Sequence, residues 1–494
     1  MALMKKQLDW HDIQAIVFAG YGDLPRARYA FLRVKHPERA KAWLRELSEQ
    51  VTTMKQLQGA KAEGQRKDHA VHVAFTEKGL AALGLPREVR ESFLPEFVEG
   101  QTSAHRARAL GDTGASAPHK WCFGGPVREG EEDKEIHLVL MLFTHGDEQH
   151  LEEMESLHAR HRERYAAGLG EVFVQDACLR RMDGEEGTQN GFKEAFGFRD
   201  GITQPTIEGT PAKPGQTPPI KAGEFILGYE NAYGQLPSSP TVSAEQDSRG
   251  LLPALEGSSR KDLGCNGTYL VLRKLRQDVE SFEHFLHEHS RDPEDPQGDA
   301  HRRELLAAKL MGRWRSGAPL SLCPARDDKE LGRDTTRNND FLYGNDPHGL
   351  RCPMASHIRR SNPRDTLIPD SSKTSLKVSD RRQLIRRGRP YQDSNGEQGM
   401  MFVALNANIQ RQFEFIQQSW MNNPKFTGLY DSRDPIAGNN HDPELEGSRA
   451  ENYAVSIPAE PVRQRITGVP RFVHVRGGAY FFLPGIQALR FLAS

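Results

Sequence analysis

The chain has 494 residues, of which 37% are hydrophobic and 27% charged, and its mean hydropathy is −0.67. This composition is typical of a globular protein and excludes a disordered one, and no stretch approaches the roughly 18 consecutive apolar residues of a membrane span. With 66 basic and 67 acidic residues the net charge is −1, so no global electrostatic attraction to nucleic acid or to an anionic membrane is expected.

Strands and helices alternate over the first ~180 residues, as in an α+β layer with an antiparallel sheet. Apolar residues at three- and four-residue steps from Trp43 to Leu57 predict one amphipathic helix. Other helices are predicted at 79–85 and 150–167, and strands at 26–35, 69–75, 136–143 and 171–175. Since residues 136–143 are almost all apolar, we expect that strand to be buried on both faces.

The same alternation returns after Gly191. Strands are predicted at 268–272, 402–405, 472–475 and 480–482, and helices at 278–287, 409–420 and 486–492. Long polar stretches interrupt this half at 209–223, 238–259 and 324–353. Because loops this long inside a compact domain are usually functional or disordered, we expect them to surround a large ligand.

The first segment that suggests chemistry is Phe196-Gly-Phe-Arg-Asp-Gly201. Gly197 and Gly201 can adopt positive φ and let the backbone approach a flat ligand, while Arg199 and Asp200 stand between them as a cation and a carboxylate. Asp-Gly is also one of the commonest turn dipeptides, so a plain turn is the competing interpretation.

The second segment places one histidine before a basic run. His357 is followed by Arg359, Arg360 and Arg364. A haem would satisfy both features, because its iron accepts a neutral imidazole and its two propionates attract guanidinium groups. A solvated basic loop is the alternative. A third basic segment, residues 384–391 (Leu-Ile-Arg-Arg-Gly-Arg-Pro-Tyr), is by itself only a basic turn.

Together the three segments resemble the dye-decolourising haem peroxidases. Phe-Gly-Phe-Arg-Asp-Gly resembles that family's Gly-x-x-Asp-Gly signature, His-Ile-Arg-Arg-Ser-Asn-Pro-Arg its proximal histidine segment, and Ile-Arg-Arg-Gly-Arg-Pro-Tyr its distal arginine segment. The similarity runs nearly end to end in the correct order, and the chain length resembles the larger, long-loop subclass. Supporting blocks lie at 12–16, 20–22, 223–229, 266–275, 412–417 and 477–484.

The resemblance implies an α+β fold built from two ferredoxin-like antiparallel sheets with peripheral helices, similar to a dimeric α+β barrel. The N-terminal domain would span residues 1–185, and the C-terminal haem-binding domain residues 190–494, with long loop insertions. One haem b per chain is implied, with His357 as the iron ligand. Further contacts to the haem are expected from Arg199, Gly201, Arg359 and Arg364. Covalent attachment is not expected, since the chain has no Cys-x-x-Cys-His.

The implied activity is that of a haem peroxidase, which reduces hydrogen peroxide and oxidises bulky organic substrates such as dyes and phenols through a high-valent iron intermediate. By resemblance Asp200 is the distal acid–base residue. The resemblance also implies that Arg386 would stabilise charge as the O–O bond breaks, with Arg387 as the alternative arginine. An arginine near Asp200 would favour the ionised carboxylate and lower the pKa of Asp200.

Two further assignments stay open at this point. The residue that accepts a hydrogen bond from His357 could be Asn408 or Glu414, which lie on a predicted helix. Because bulky substrates would not reach the iron, electrons could leave through a surface tyrosine or tryptophan. The candidates are Trp314, Tyr343, Tyr391 and Trp420, and for each of them packing in the core or in a loop is the competing and favoured interpretation.

Other interpretations compete with a peroxidase. A haem-handling protein on the same fold would not need Asp200 and Arg386, and a non-haem metal enzyme would need a histidine pair that does not stand out. Cargo of a protein shell is not expected, because Ser494 directly follows the last predicted helix.

A cytoplasmic location is predicted from two features of the sequence. The five cysteines form no Cys-x-x-Cys pair, and residues 1–16 contain no apolar secretory segment. A homodimer is a further expectation, without nucleic acid or membrane partners.

Overall fold

The computed structural model describes residues 7–62, 67–146, 151–182, 191–211, 218–255 and 257–494. At the centre of these ranges is an antiparallel sheet of nine strands, and two large apolar clusters pack against it. Among the helices of these ranges, none has the length and hydrophobicity that a membrane span requires.

The N-terminal half of the sheet has four antiparallel strands in the order β2-β3-β1-β4. This is the strand order of a ferredoxin-like fold, in which helices connect the strands on one side. The strands are β1 (Arg26–Val34), β2 (His69–Phe75), β3 (Leu138–Thr144) and β4 (Leu169–Cys178). The helices are α1 (Pro37–Ser48), α2 (Met54–Ala62), α3 (Glu77–Ala82), α4 (Arg87–Arg90), α5 (Pro95–Glu99), α6 (Ala104–Leu110) and α7 (Glu152–Tyr165).

The C-terminal half repeats this arrangement in the order β10-β12-β9-β15, with β11 also paired to β12. Short ribbons lie outside the sheet: β5 (Arg180–Arg181) with β6 (Phe192–Lys193), β7 (Thr241–Val242) with β8 (Lys261–Asp262), and β13 (Ala454–Ile457) with β14 (Gln464–Thr467). The sheet strands are β9 (Thr268–Gln277), β10 (Ile385–Arg386), β11 (Arg389–Gln392), β12 (Gln398–Asn406) and β15 (Val473–Leu483).

The helices of this half surround the segments singled out above. They are α8 (Val279–Ser290), α9 (Asp299–Met311), α10 (Lys329–Arg333), α11 (His357–Ser361), α12 (Ser372–Asp380) and α13 (Ile486–Leu492), together with two consecutive π-helical segments, Gln410–Glu414 and Ile416–Met421.

The two halves join at both edges of the sheet. On one side Phe482 of β15 pairs with Phe75 of β2. On the other, the Gln175 side chain of β4 donates to Asp393, directly after β11, at 2.8 Å. The sheet therefore curves into an α+β barrel, and the predicted fold class is confirmed. The predicted division between residues 185 and 190 lies outside the described residues, so the domain limits stay a prediction.

Two predicted elements differ from the structure for physical reasons. The single helix predicted over Trp43 to Leu57 is two helices, because the peptide groups of Thr52 bond to Ala15 and Val71 and hold this segment against β2. The two strands predicted at 472–475 and 480–482 are one strand, β15, with a bulge before Gly477. Glycine is required there, since a Cβ would lie 2.6 Å from the Phe123 ring.

Candidate active site

A short helix, α11, presents His357 to the interior. Its two arginines anchor the helix: Arg359 donates to Asp346 at 3.0 Å and to the Cys352 carbonyl at 2.7 Å. Arg360 donates to the backbone carbonyls of Trp420 and Ser432 at 2.7 Å each. Because both guanidinium groups are almost fully buried, the predicted alternative of a solvated basic loop is wrong. These arginines hold the helix that carries His357.

The hydrogen-bond partner of His357 is Asp434. The imidazole Nδ1 lies 2.9 Å from Asp434 Oδ2, and the aspartate side chain is completely buried. Burial alone would raise the pKa of Asp434, but the His357 charge and hydrogen bonds, including one from the Ala437 N–H at 2.8 Å, outweigh it and lower that pKa. For the histidine the signs are reversed. Burial by itself would lower the pKa of His357, but the charge and hydrogen bond of Asp434 outweigh burial and raise it.

This geometry leaves His357 Nε2 as the atom that can bind a metal. A carboxylate that accepts the Nδ1 proton sets the tautomer with the lone pair on Nε2, as is usual for metal-bound histidines. The side chain keeps 26% of its surface accessible although it lies in the interior, so it borders an internal space. No group of three or more His, Cys, Asp or Glu side chains in the described ranges could by itself hold a metal ion.

Asp200 is placed by a tight turn after β6. Its N–H donates to the Phe192 carbonyl at 2.8 Å, and the Gly201 N–H donates to the Asp200 carboxylate at 2.7 Å. The glycines on either side, Gly197 and Gly201, have φ of 87° and 76°, as the sequence predicts for a backbone only glycine adopts easily.

Glu194 shapes the same turn, and sequence reasoning missed it. Its carboxylate accepts the N–H groups of Phe196 at 3.0 Å and Phe198 at 2.8 Å. Burial raises the pKa of Glu194 to about 7, with Asp200 adding to the increase. The two phenylalanines pack on Phe282, which fixes the turn against α8.

Arg386, and not Arg387, faces Asp200. Arg386 donates to the Thr203 carbonyl and interacts electrostatically with Asp200 and with His357. Arg387 instead donates to the carbonyls of Ile16 at 2.8 Å and Val17 at 2.9 Å. The structure therefore places Arg386 within electrostatic reach of both Asp200 and His357 and gives Arg387 a role in anchoring the N-terminal segment.

The pKa of Asp200 differs from the sequence-based expectation. Arg386 and the Gly201 N–H do lower it, but the penalty of burying a carboxylate is larger, and the pKa is raised from its ordinary value of 3.8. Burial also lowers the pKa of Arg386, against the opposing effect of Asp200. Arg386 thus acts in the expected direction, but the expectation that it keeps the pKa of Asp200 low is wrong, because burial outweighs it.

The other predicted haem contacts have partners within the protein. Arg199 donates to the Ser316 carbonyl at 2.8 Å. Arg364 donates to the Phe341 carbonyl at 2.6 Å and to Asn339, and its guanidinium stacks on the Phe341 ring. These bonds stabilise the loops around α11, as those of Arg359 do, and a contact of Arg199, Gly201, Arg359 or Arg364 with a haem stays a prediction.

The sequence-based candidates for the partner of His357 were wrong. The Asn408 carboxamide accepts from the Arg411 N–H, and the Glu414 carboxylate binds Arg106 and the Tyr480 hydroxyl. Asp434 lies 77 residues after His357, in a loop without a recognisable motif. The four residues considered as electron exits are all buried, at 4% exposure or less, which favours packing over a surface role: Trp314, Tyr343, Tyr391 and Trp420.

Comparison with known proteins identifies the family of the chain. Residues 12–169 match the model of the DyP dimeric alpha+beta barrel domain, and residues 324–428 match that of the Dyp-type peroxidase C-terminal region. A dye-decolourising peroxidase of Mycena epipterygia is 30% identical, over 86% of this chain and 76% of the relative. The chain belongs to the dye-decolourising peroxidase family. It is a peroxidase, an oxidoreductase that uses a peroxide as electron acceptor.

Solved structures of the family share the whole fold. A fungal DyP-type peroxidase from Auricularia auricula-judae superposes with a TM-score of 0.76 and 26% identity, covering 99% of this chain and all of the other. A dye-decolourising peroxidase whose haem pocket has been engineered for asymmetric sulfoxidation superposes with a TM-score of 0.78 at 26% identity, over the same shares of the chains. Members of the family are haem enzymes, and His357 with Asp434 is a suitable donor set for such a group.

Proposed function

We propose that this peroxidase binds one haem b through His357 Nε2, reduces hydrogen peroxide, and oxidises dyes and phenols. The observation that carries the proposal is the His357–Asp434 pair at 2.9 Å, and it is supported by Arg386, which interacts electrostatically with both His357 and Asp200. When bound, the haem supplies the iron that exchanges electrons with peroxide and with the reducing substrate.

In the proposed mechanism Asp200 moves the proton. Its carboxylate accepts a proton from one oxygen of hydrogen peroxide and returns it to the other oxygen, which leaves as water. Arg386 stabilises the negative charge that develops as the O–O bond breaks. Asp434 keeps the His357 ring in one orientation and increases the basicity of Nε2, because it holds the Nδ1 proton in a charge-assisted hydrogen bond.

A haem-handling role without turnover is the second candidate in this proposal. It is disfavoured because it gives no use to a carboxylate and a guanidinium that are both buried at an energetic cost.

The cytoplasmic location is supported by five cysteines that are all unpaired thiols. This location and the homodimer stay predictions.

The decisive experiment measures cofactor and turnover on the same sample. We expect the purified protein to show a Soret band, to release non-covalent haem b under a pyridine haemochrome assay, and to consume hydrogen peroxide in step with loss of dye colour. A Soret band without peroxide consumption would favour the haem-handling alternative, and no haem after supplementation would contradict both.

A further inference from the structure

A large, open pocket of about 960 Å³ lies outside the site described above. Its walls come from α6, from the segment after α12 and from the two π-helical segments, and we call it the arginine pocket. Its volume is at the upper end of the range for small-molecule sites. The residues that define it are His105, Arg106, Arg108, Arg382, Arg411 and Phe415.

The arginine pocket carries an excess of positive charge. Among the described residues that line it, Glu414 is the one carboxylate, and it is paired with Arg106 at 2.7 Å. Arg411 is paired with the buried Glu224 at 2.6 Å. Arg108 and Arg382 form no ion pair with any described carboxylate, so two guanidinium groups remain for an anionic ligand.

Arg382 is also held in a position suited to a flat ligand. Its guanidinium stacks on the Phe415 ring at 3.9 Å from the ring centre, and one of its nitrogens donates to the Arg411 carbonyl at 2.5 Å. Its Nε is buried without a hydrogen-bond partner. A stacked, incompletely bonded guanidinium can pair with a sulfonate or carboxylate while an aromatic ring lies against the same surface.

The wall of the arginine pocket continues to the His357 site. Phe415 contacts the Trp420 ring at a centroid distance of 5.5 Å, and the Trp420 carbonyl accepts a hydrogen bond from Arg360, three residues after His357. The Met421 carbonyl, one residue later, accepts the Asp434 N–H at 2.8 Å. An occupant of the pocket would thus contact the segment that supports both members of the His357–Asp434 pair.

We propose that the arginine pocket binds aromatic molecules carrying two anionic groups, such as sulfonates or carboxylates, and that these are reducing substrates of the enzyme. The substrate assignment rests on the proposed function, whereas the binding does not. Reducing one hydrogen peroxide to two waters takes two electrons and two protons. Two bound molecules therefore each lose one electron in succession, and solvent supplies the protons.

Calorimetric titration of the holoenzyme with naphthalene disulfonate, without peroxide, tests the binding. We expect Arg108→Gln and Arg382→Gln each to weaken binding at least about tenfold, the loss expected for one charge-assisted contact. Arg463→Gln, at an exposed arginine outside the pocket, should bind as the wild type does. Arg108 is exposed, so its replacement leaves the fold intact even if Arg382→Gln is unstable.

Steady-state kinetics tests the substrate role on the same variants. The KM for a disulfonated dye should rise with the loss of affinity, while kcat/KM for a neutral phenol should stay unchanged. No binding to the wild type, equal binding by Arg108→Gln, or equally tight binding of inorganic sulfate would overturn the proposed site. Intact binding without turnover of the neutral phenol would contradict the proposed peroxidase mechanism and leave the binding site standing.

Discussion

Replacing Arg386 with leucine separates the two adjacent arginines by function. Arg386 faces Asp200 and makes one side-chain hydrogen bond to a protein carbonyl, that of Thr203. Arg387 holds the carbonyls of Ile16 and Val17 and interacts electrostatically with Tyr21 instead. Arg387→Leu is therefore a matched control, because it removes a buried guanidinium one residue away without removing charge beside Asp200.

Arg387→Leu should lose more stability than Arg386→Leu, whereas Arg386→Leu should be the variant that reacts more slowly with peroxide. Each buried carbonyl that loses its partner costs about 1–3 kcal/mol, so Arg387→Leu should lower the free energy of unfolding by roughly 2–6 kcal/mol and Arg386→Leu by about half of that. For the reaction, loss of a charge-stabilising donor costs about 100-fold or more in rate, or roughly 3–4 kcal/mol of activation free energy. Only Arg386→Leu should show that loss, with haem binding retained.

Stopped-flow mixing with hydrogen peroxide, followed at the Soret band, measures this step directly. The rate is compared per haem-loaded enzyme, and chemical denaturation gives the stability of each variant. If Arg387→Leu were slow and Arg386→Leu were not, the assignment of the distal arginine would be reversed. If neither were slow, charge stabilisation by an arginine would not be part of the mechanism.

Three other predictions concern the remaining site residues. His357→Ala should abolish or greatly reduce haem loading, measured by the Soret absorbance, and full occupancy with unchanged coordination would contradict its role as ligand. Asp434→Asn should make the reduction potential of the bound haem more positive, since it removes the charge that makes His357 a stronger donor; a redox titration that finds no change would argue against this. The peroxide rate should fall on the acid side at a pH above 3.8, since Asp200 must be ionised to accept a proton and burial raises its pKa. Asp200→Asn should slow the reaction with peroxide and flatten the acid side of its pH profile, measured as single-turnover rates across pH. An unchanged profile would mean that Asp200 only forms the turn and takes no part in proton transfer. The effect on folding has the opposite sign. A carboxyl group whose pKa is raised in the folded protein stabilises the fold at low pH, and this contribution is lost as the pH rises through that pKa. The denaturation midpoint of Asp200→Asn should therefore fall less with rising pH than that of the wild type.

Local patterns were sufficient for most of the sheet. The strand predicted at 69–75 matches β2, and the helix predicted at 486–492 matches α13. The almost entirely apolar run predicted as a strand at 136–143 corresponds to β3 (Leu138–Thr144), which is buried along its whole length. Such elements are predictable because side-chain periodicity and burial are recorded in consecutive residues. The Phe196–Gly201 segment and His357 were found in the same way, since each is a short motif.

Long-range contacts decided the rest. Asp434 could not be assigned to His357 from the sequence, because 77 residues separate them and only the packing of α11 against the π-helical segment brings them together. The residues around Arg386 and Arg387 do not by themselves distinguish the two arginines, and only the resemblance favoured Arg386. Their different directions follow from strand pairing in β10. The pKa of Asp200 was misjudged for a related reason. A charged neighbour can be read from a motif, but the burial that outweighs it is a property of the folded chain.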